Sequence, residues 1–515
     1  MRRKLLCAVL AGGLAITPGG PAGAAPARDY RPGSAGLGDV WYPLEGNGGY
    51  DVAHYDLSLS YDPGSGRLDG TARVDAVATQ NLSRFDLDLQ QLDVTRVLVD
   101  GRPASFRRDG QELVITPRRG IPARSRFQVA VTYGGVPQPL GGPTPYGFVR
   151  TGDGMVTLNV QDGASTWFPG NDHPSDKATF RFTITVPDGL DVVANGRRVS
   201  TRTHGGRTTH VWSETAPMAT YLATVDVGRW RVRKGRTPGG IPEYVAVDPA
   251  LGTGADDPMP QFWNRTAEVV DRWTQIFGPY PFDSTVAIVV LARHNGVQVP
   301  FSAETQTRPV YSAADSDEII AHELAHQWFG DSVGITRWNE VWLSEGFAVF
   351  ANWYFDELRG GTTVHDQARQ VYQAHPADDP FWTIPLTGPD RPTDAAGERI
   401  YFGGALVLQM LRQELGDPTF FRVLRAWTRD HRHGTATTTD FMETATRTSG
   451  RDLAPFFRTW VYSPTRPALP DNAEQPRSSV AHDGAERQPF PRHRQSSSDA
   501  PSPGLHPEGT PPGRS

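Results

Sequence analysis

The sequence predicts a multi-domain protein in which an all-β domain, built as a sandwich or saddle-like sheet, precedes an α+β domain that is mostly helical. Between residue 50 and about residue 247, short segments of alternating apolar and polar residues are bounded by Gly, Pro, Asp and Asn, a pattern typical of strands joined by turns. From about residue 258 onward, the apolar residues recur at helical spacing. Strands followed by helices indicate two successive domains.

The first domain is assigned to residues 25–250. Along a strand with one buried face, apolar and polar side chains alternate with a period of two. This alternation predicts strands over residues 53–61, 71–78, 94–99, 112–116, 127–133 and 179–186.

The second domain is assigned to residues 251–467. It begins with a helix over residues 262–277 and an apolar strand over residues 285–291. Helical periodicity then predicts further helices over residues 316–330, 340–357, 400–415, 418–430, 439–446 and 453–461.

Both ends of the chain differ from the two domains. Residues 1–24 combine a charged start, a short apolar stretch and the small-residue site Ala22-Gly23-Ala24, so they are predicted to be a signal peptide for secretion. The pair Arg2-Arg3 leaves the twin-arginine route open beside the general one. Residues 468–515 are rich in Pro and Ser without apolar periodicity, which predicts a disordered tail.

Composition excludes several classes of function. With 57 acidic and 51 basic residues and a net charge of −6, the chain lacks the basic footprint of a nucleic-acid-binding protein. Its one cysteine, Cys7, lies in the signal, which excludes disulfides, thiolate metal ligands and a cysteine nucleophile in the mature protein. The basic residues are almost all arginine, which hints at a bacterial gene of high GC content. We expect a secreted monomer without stable membrane insertion.

A metal-binding pattern is the most informative feature of the chain. His322 and His326 stand four residues apart, and Glu345 follows after eighteen intervening residues. Residues four apart lie on one face of a helix, so both imidazoles can reach one metal ion. Two histidines and a carboxylate suit catalytic Zn²⁺, and Glu323 between the histidines can take a proton from water.

The residues around this pattern resemble a known family. The segments HELAHQWFGD, starting at His322, and WLSEGFA, starting at Trp342, are similar to those of the aminopeptidase N family of gluzincin zinc metallo-aminopeptidases. The resemblance implies a thermolysin-like α+β catalytic domain and a short two-domain member of the family. It also implies one Zn²⁺ per chain on His322, His326 and Glu345, with Glu323 as general base. Ser344 departs from the family's usual Asn.

Three further segments extend the resemblance. Phe301-Ser-Ala-Glu304-Thr corresponds to the family segment whose glutamate binds the substrate's free amine, which implies that role for Glu304. Tyr401, in Ile400-Tyr-Phe-Gly-Gly-Ala405, corresponds to the tyrosine that stabilises the oxyanion, although Gly403 replaces the usual Lys. Gln161 lies in a loop of the β-domain similar to one that enters the family's cleft, and it would assist at the amine. Gly163 stands where many relatives have Glu.

Other residues near these motifs carry weaker predictions. Metal-binding histidines usually donate their second ring N–H to a carboxylate or carbonyl, and Asp331 and Glu340 are candidates for that role by position. His173 lacks a partner at ligand spacing, so it is interpreted as structural.

The sequence therefore predicts a secreted zinc aminopeptidase that removes N-terminal residues from peptides by means of a zinc-activated water. Two alternatives stay open. One is another gluzincin chemistry, either an endopeptidase or an epoxide hydrolase. The other is a non-catalytic binding protein on a peptidase scaffold, which the retention of Glu323, Tyr401 and all three ligands disfavours.

Overall fold

The computed structural model describes residues 29–141, 145–159, 161–294, 297–299, 302–312, 315–387 and 397–469. The predicted signal, residues 1–24, and almost all of the predicted tail, residues 468–515, lie outside these ranges and stay predictions.

An eight-stranded sheet forms the body of the β-domain. In spatial order, its strands are β14 (Arg197–His204), β15 (Arg207–Ala219), β12 (Lys177–Pro187), β2 (Tyr50–Asp62), β3 (Arg67–Ala78), β9 (Arg126–Gly135), β5 (Asp93–Val99) and β6 (Arg102–Pro103). Neighbouring strands are antiparallel, except that β12 and β2 are parallel. Buried and more exposed side chains alternate along β2, as period-two strands with one buried face require.

Two four-stranded sheets pack on the buried face of the large sheet. The first contains β1 (Arg31–Pro32), β4 (Leu82–Asp88), β8 (Glu112–Thr116) and β7 (Ser105–Asp109), and the second β10 (Gly147–Arg150), β11 (Met155–Leu158), β16 (Val225–Gly228) and β13 (Asp191–Ala194). Phe85 meets Phe127 of the large sheet with ring centroids 5.2 Å apart, and Phe148 meets Tyr61 at 5.5 Å. The predicted all-β sandwich is confirmed, and all six predicted strands are present.

A mixed sheet links the two halves of the chain. Its order is β17 (Arg231–Arg236), β18 (Pro242–Val247), β19 (Thr285–Val290) and β22 (Val310–Ser312), and β18, β19 and β22 are parallel. Two of its strands precede residue 250, so the domain boundary predicted there falls within a shared sheet. The change to helical periodicity marks the first helix of the second domain rather than its first strand.

The second domain is mostly helical, as predicted. Its helices within the described residues are α1 (Met259–Phe277), α2 (Asp317–Ala325), α3 (Trp342–Leu358), α4 (Val364–Ala374), α5 (Gly404–Leu415), α6 (Asp417–Asp430), α7 (Thr438–Ser449) and α8 (Ala454–Phe457). Two strand pairs accompany them, β20 (Arg293–His294) with β21 (Val297–Gln298) and β23 (Gly334–Ile335) with β24 (Thr435–Ala436). Among the helices that the structure describes, none has the length and apolar character needed to span a bilayer.

Three helical predictions need correction. Helix α4 was missed, although Val364, Ala368 and Val371 carry its apolar spacing. The helix predicted from residue 400 begins instead as a π-turn, Arg399–Gly403. The one predicted from residue 453 likewise ends in a π-turn, Arg458–Tyr462.

The helix that carries the histidines is also shorter than predicted. It was expected to reach residue 330, but α2 ends at Ala325. A tight turn follows, in which Trp328 N donates to Ala325 O at 3.0 Å. Wider bonds that span five residues come next, from Asp331 N to His326 O at 3.0 Å and from Ser332 N to Gln327 O at 3.2 Å. Gly330 has φ +118°, a conformation that side-chain-bearing residues rarely adopt. The α-helix therefore ends at its second histidine, His326, which caps it, and the tight and widened turns replace the helical turn expected up to residue 330.

Lys177 joins the two domains at this turn. From the start of β12, its ammonium donates to Asp331 O at 2.6 Å, Ser332 O at 3.0 Å and Gly434 O at 3.2 Å. All three ammonium donors are thus used by backbone carbonyls of the helical domain. Burial lowers the pKa of Lys177 to about 7, although the nearby charge of Asp331 opposes the shift.

Replacing Lys177 tests this joint. Lys177→Met removes the ammonium donor from three carbonyl groups, of which, among the described residues, only Gly434 O keeps another donor, Gly334 N at 2.9 Å. We therefore expect the free energy of unfolding to fall by about 2–3 kcal/mol. Urea unfolding at pH 6, where the ammonium is charged, measures the change. Lys234→Met, on an exposed part of β17, is the control, and equal losses in the two variants would contradict the assigned role.

Candidate metal centre and active site

The three predicted metal ligands come together between α2 and α3. His322 Nε2 and His326 Nε2 are 3.1 Å apart, and Glu345 Oε2 lies 3.4 Å and 3.5 Å from them. Zinc–ligand bonds of about 2.0–2.1 Å in a tetrahedron would separate the ligand atoms by roughly 3.3–3.4 Å. Within the described part of the chain, no other group of three His, Cys, Asp or Glu side chains gathers closely enough to share a metal ion.

The electrostatics of this triangle fit a cation. Burial raises the pKa of Glu345, but the adjacent imidazoles of His326 and His322 outweigh it and hold that pKa well below its ordinary value. Glu345 Oε2 is buried and no hydrogen bond of good geometry satisfies it. A carboxylate oxygen without a donor, facing two imidazole nitrogens, is the donor set of a catalytic zinc site.

The second ring nitrogen of His326 contacts the segment that follows α2 and a side chain of α3. His326 Nδ1 lies 2.9 Å from Ser344 Oγ and 3.1 Å from Phe329 O. A Cβ added to Gly330 would lie 2.3 Å from Ser344 Oγ, so glycine permits this close approach as well as the turn. Ser344, at the position where the sequence departs from the family, thus orients a ligand.

The predicted support of the ligands by Asp331 and Glu340 is wrong for His326. Glu340 Oε2 accepts from Thr438 N at 3.1 Å, at the start of α7. Asp331 is fully buried and contacts His326 through its backbone N–H. The widened turn after α2 directs the Phe329 carbonyl back toward the ring, which spacing along a regular helix does not predict.

Glu323 lies on α2 between the two histidines and is only 7 % exposed. Burial raises its pKa well above the ordinary value, His326 opposes the rise, and the negative charges of Glu304 and Glu345 add to it. A carboxylate with a raised pKa takes up a proton readily near neutral pH. The structure therefore places a suitable base beside the ligands.

Tyr401 lies beside the same centre, next to His322. Its ring lies parallel to that of His322, with centroids 6.4 Å apart and planes at 5°. The π-turn that carries Tyr401 leads into α5, which crosses α3 closely, since a Cβ on Gly346 would lie 2.8 Å from Gly404 Cα. These two glycines let α5 approach α3 and bring the phenol to the centre.

The phenol of Tyr401 stays protonated. Burial raises its pKa well above the ordinary value, and the charges of Glu345, Glu304 and Glu323 raise it further. A protonated hydroxyl can donate a hydrogen bond to an oxygen that gains negative charge.

Glu304 lies in a turn beside the metal helix. The turn connects Ala303 and Val310, which pair with each other in an isolated β-bridge. Burial raises the pKa of Glu304, His326 opposes this, and Glu345 adds to the rise. Glu304 O accepts from Gln327 Nε2 at 3.2 Å, one residue beyond the ligand His326, so the turn lies beside the ligands. The role of Glu304 toward the amine stays a prediction.

Gln161 lies on the β-domain side of the site. It has φ +61°, and its amide oxygen accepts a hydrogen bond from the Tyr42 hydroxyl. Tyr42 in turn packs on Trp338 with ring centroids 6.1 Å apart. The structure thus places Gln161 beside the contact of Tyr42 with Trp338, and its role toward the amine stays a prediction.

Sequence reasoning missed Tyr221. This β-domain residue is 7 % exposed and packs on Trp338 at a centroid distance of 5.0 Å. Burial, followed by the charges of Glu304, Asp331 and Glu345, raises its pKa well above the ordinary value. Its place in a short turn, Thr220–Leu222, gives no local signal, since only the docking of the two domains brings it to the centre.

His173 is structural, as predicted. Its Nδ1 lies 2.7 Å from Ser175 Oγ and its Nε2 lies 3.6 Å from Asp39 Oδ2, and the side chain is 3 % exposed. Asp39 also accepts from Trp338 N at 2.8 Å. His173 therefore belongs to the packing between the N-terminal segment and the second domain.

Comparison with known families gives matches in both halves of the chain. Residues 52–222 match the Peptidase M1 N-terminal domain, and residues 299–460 match the Peptidase family M1 domain. The second match contains the three candidate ligands, Glu323, Glu304 and Tyr401.

Curated relatives and solved structures agree with these matches. The leucyl aminopeptidase of Saccharolobus solfataricus is 26 % identical over 59 % of this chain and 40 % of its own length. Aminopeptidase N of Lactococcus lactis subsp. lactis is 24 % identical over 81 % of this chain and 51 % of its own. The chain thus spans about half the length of the curated relatives it matches.

An M1 zinc metallopeptidase from Deinococcus radiodurans superposes with a TM-score of 0.76 at 27 % identity, covering 85 % of this chain and 99 % of that protein. A mutant of the Deinococcus protein bound to a Tyr-Ser-Ala substrate gives a TM-score of 0.75 at 26 % identity, covering 84 % and 99 %. These neighbours share both domains of the fold described above.

The contact between Ser344 and His326 gives a prediction for metal binding. Ser344→Ala removes one of two partners of His326 Nδ1, so we expect the affinity for Zn²⁺ to fall about 10-fold. Competition with a chelator measures this affinity. Ser200→Ala, at an exposed position of β14, should leave it unchanged, and an unchanged affinity in Ser344→Ala would remove Ser344 from the metal site.

Proposed function

The chain belongs to the M1 family of peptidases, and on that premise we propose that it is a zinc aminopeptidase that removes N-terminal residues from peptides. The observation that carries the proposal is the convergence of His322, His326 and Glu345 on one point. Three features support the proposal further. Glu323 lies on α2 between the two histidines, the Tyr401 ring lies parallel to that of His322, and Glu304 O accepts from Gln327 Nε2, next to His326.

His322, His326 and Glu345 would hold one zinc ion per chain. When bound there, zinc would polarise the carbonyl of the scissile bond and make water a stronger acid. Ser344 and the Phe329 carbonyl would keep the His326 ring oriented for this task, through the contacts at Nδ1.

Glu304 would bind the free ammonium of the peptide. Burial and the nearby charge of Glu345 raise its pKa, so a cation beside it stabilises the ionised form. A charge-assisted hydrogen bond also fixes the position of the ammonium. The first peptide bond then lies next to the metal ligands, and Gln161 would assist from the β-domain.

Glu323 and Tyr401 would act on the reacting atoms. Glu323 would accept a proton from the attacking water and pass it to the nitrogen of the departing peptide, since its raised pKa suits both steps. The Tyr401 hydroxyl would donate a hydrogen bond to the carbonyl oxygen as negative charge develops on it.

The setting of this activity is part of the proposal. Residues 1–24 have the pattern of an export signal, so the mature enzyme would act outside a bacterial cell on peptides with free N-termini. It would act as a monomer without nucleic acid or stable membrane insertion.

The intact mass of protein recovered from the medium of an expressing bacterium should correspond to a chain that begins at Ala25, and a mass that retains residues 1–24 would contradict cleavage there.

Replacing Glu323 tests the general base. Glu323→Gln keeps the shape and the three ligands, so zinc should stay at one per chain while kcat falls by about 10²–10⁴. Glu318→Gln, on the same helix, is the matched control. Substantial activity in Glu323→Gln at full zinc content would assign the base elsewhere.

Replacing Tyr401 tests the oxyanion contact. Tyr401→Phe removes a hydrogen bond made chiefly in the transition state, so kcat should fall by about 10²–10³ with little change in KM. Tyr462→Phe, whose side chain is 45 % exposed, serves as the control. A rise in KM alone would show that Tyr401 binds the substrate without stabilising the oxyanion.

A further inference from the structure

We infer that Gln327 is a positioning residue that fixes the distance between the amine-binding carboxylate and the metal ligands, and so selects the first peptide bond for cleavage. The inference rests on the proposed aminopeptidase function and deepens it. Gln327 directly follows the ligand His326 in the chain and is fully buried.

One side-chain amide just beyond the end of the metal helix holds both ends of the turn that carries Glu304. Gln327 Oε1 accepts from Thr307 N at 2.7 Å, and Gln327 Nε2 donates to Glu304 O at 3.2 Å. The amide oxygen and the amide nitrogen of Gln327 thus bond to the backbone of two residues that are three positions apart, Thr307 and Glu304. A shift of this turn relative to the ligands would break at least one of the two bonds.

The turn itself is in an uncommon conformation. Thr307 has φ +63°, which is a true outlier for a β-branched residue. The turn is closed by Arg308 N, which donates to Thr305 O at 2.8 Å. Such backbone persists where surrounding contacts enforce it, and Gln327 supplies the contact to the Thr307 N–H.

The opposite side of the turn is anchored to the β-domain. Asn195 Nδ2 donates to Gln306 O at 2.7 Å, and Gly196 N donates to Thr307 Oγ1 at 2.8 Å. The buried guanidinium of Arg308 bonds to the carbonyls of Ala194 and Gly196. The turn is therefore held between two bodies, and Gln327 is its link to the helix that carries the histidines.

This link has a consequence for the substrate. The ammonium binds the carboxylate of Glu304, and the scissile carbonyl must reach the ligands beside Gln327. The side-chain amide of Gln327 joins its own backbone to the backbone of Glu304. The distance between the bound ammonium and the reacting carbonyl is therefore fixed before the substrate binds. Pre-set distances of this kind keep the reacting groups aligned. A loosened turn would weaken recognition of the amine while leaving the metal ligands in place.

Two inhibitors separate amine recognition from metal binding. Acetohydroxamate can bind the metal alone, whereas leucine hydroxamate also carries a free amine. For the zinc-loaded full chain, the ratio of their inhibition constants measures the contribution of the amine and the leucine side chain together. The loss of that ratio in Glu304→Gln measures the share that belongs to the amine. Gln327→Leu should reduce this ratio by about 10-fold or more, since two buried hydrogen bonds are lost, with zinc still at one per chain and the constant for acetohydroxamate unchanged.

Further variants sharpen the test. Gln327→Glu keeps an acceptor for Thr307 N but loses the donor to Glu304 O, so it should give a smaller reduction of the ratio. Gln409→Leu makes the same chemical change at another buried glutamine, on α5, and should leave the ratio unchanged. Glu304→Gln removes the charge itself and sets the maximum expected loss.

The outcomes are distinct. A selective loss for leucine hydroxamate in Gln327→Leu, or in Gln327→Glu alone should the leucine variant not fold, supports the inference. An unchanged ratio overturns it, because Gln327 would then not hold the turn in the position that amine recognition needs. Equal weakening of both inhibitors also overturns it, because Gln327 would then act on the metal site alone. If wild type shows no preference for leucine hydroxamate, or Glu304→Gln keeps that preference, the proposed amine recognition fails and this inference falls with it.

Discussion

Three ligand atoms buried between α2 and α3, each within 3.5 Å of the other two, impose the main constraint on the catalytic domain. Two imidazole nitrogens and a carboxylate oxygen at these distances are stable together only with a shared positive charge. The residues around them serve this arrangement. Ser344 orients His326, and the close crossing of Gly346 and Gly404 brings Tyr401 to the same point.

Both domains contribute to the site, so its geometry depends on how they dock. Lys177 of the β-domain donates to two carbonyls of the turn after the metal helix and to Gly434 O. Asn195 and Gly196 hold the Glu304 turn from the β-domain. Tyr221 of the β-domain also packs on Trp338 of the helical domain. Carboxylates crowd this interface and raise one another's pKa values. That surplus of negative charge suits a site built for a dication and an ammonium.

Local spacing made the core of the site predictable, and non-local contacts account for what sequence reasoning missed. The histidines share one helical face, so the ligand set followed from residues four apart. The end of α2 was misplaced because the chain leaves the helix through a tight turn at residues 326–328 and then a wider turn with Gly330 at φ +118°. That turn also makes Ser344, rather than Asp331 or Glu340, the partner of His326. Tyr221 and the contacts of Gln327 depend on tertiary packing, and no periodicity in the chain marks them. Likewise, the shared sheet across residue 250 is set by pairing between strands distant in sequence.

The central claim is that a metal ion and an amine-binding carboxylate act together on the first peptide bond. The most direct test is the hydrolysis of a panel of aminoacyl coumarin amides by metal-analysed mature protein, with N-acetylated versions measured alongside. We expect one zinc per chain and turnover of the free-amine substrates, with acetylation abolishing it. Equal cleavage of acetylated and free substrates would indicate an endopeptidase, and full zinc occupancy without turnover of either set would contradict the aminopeptidase assignment.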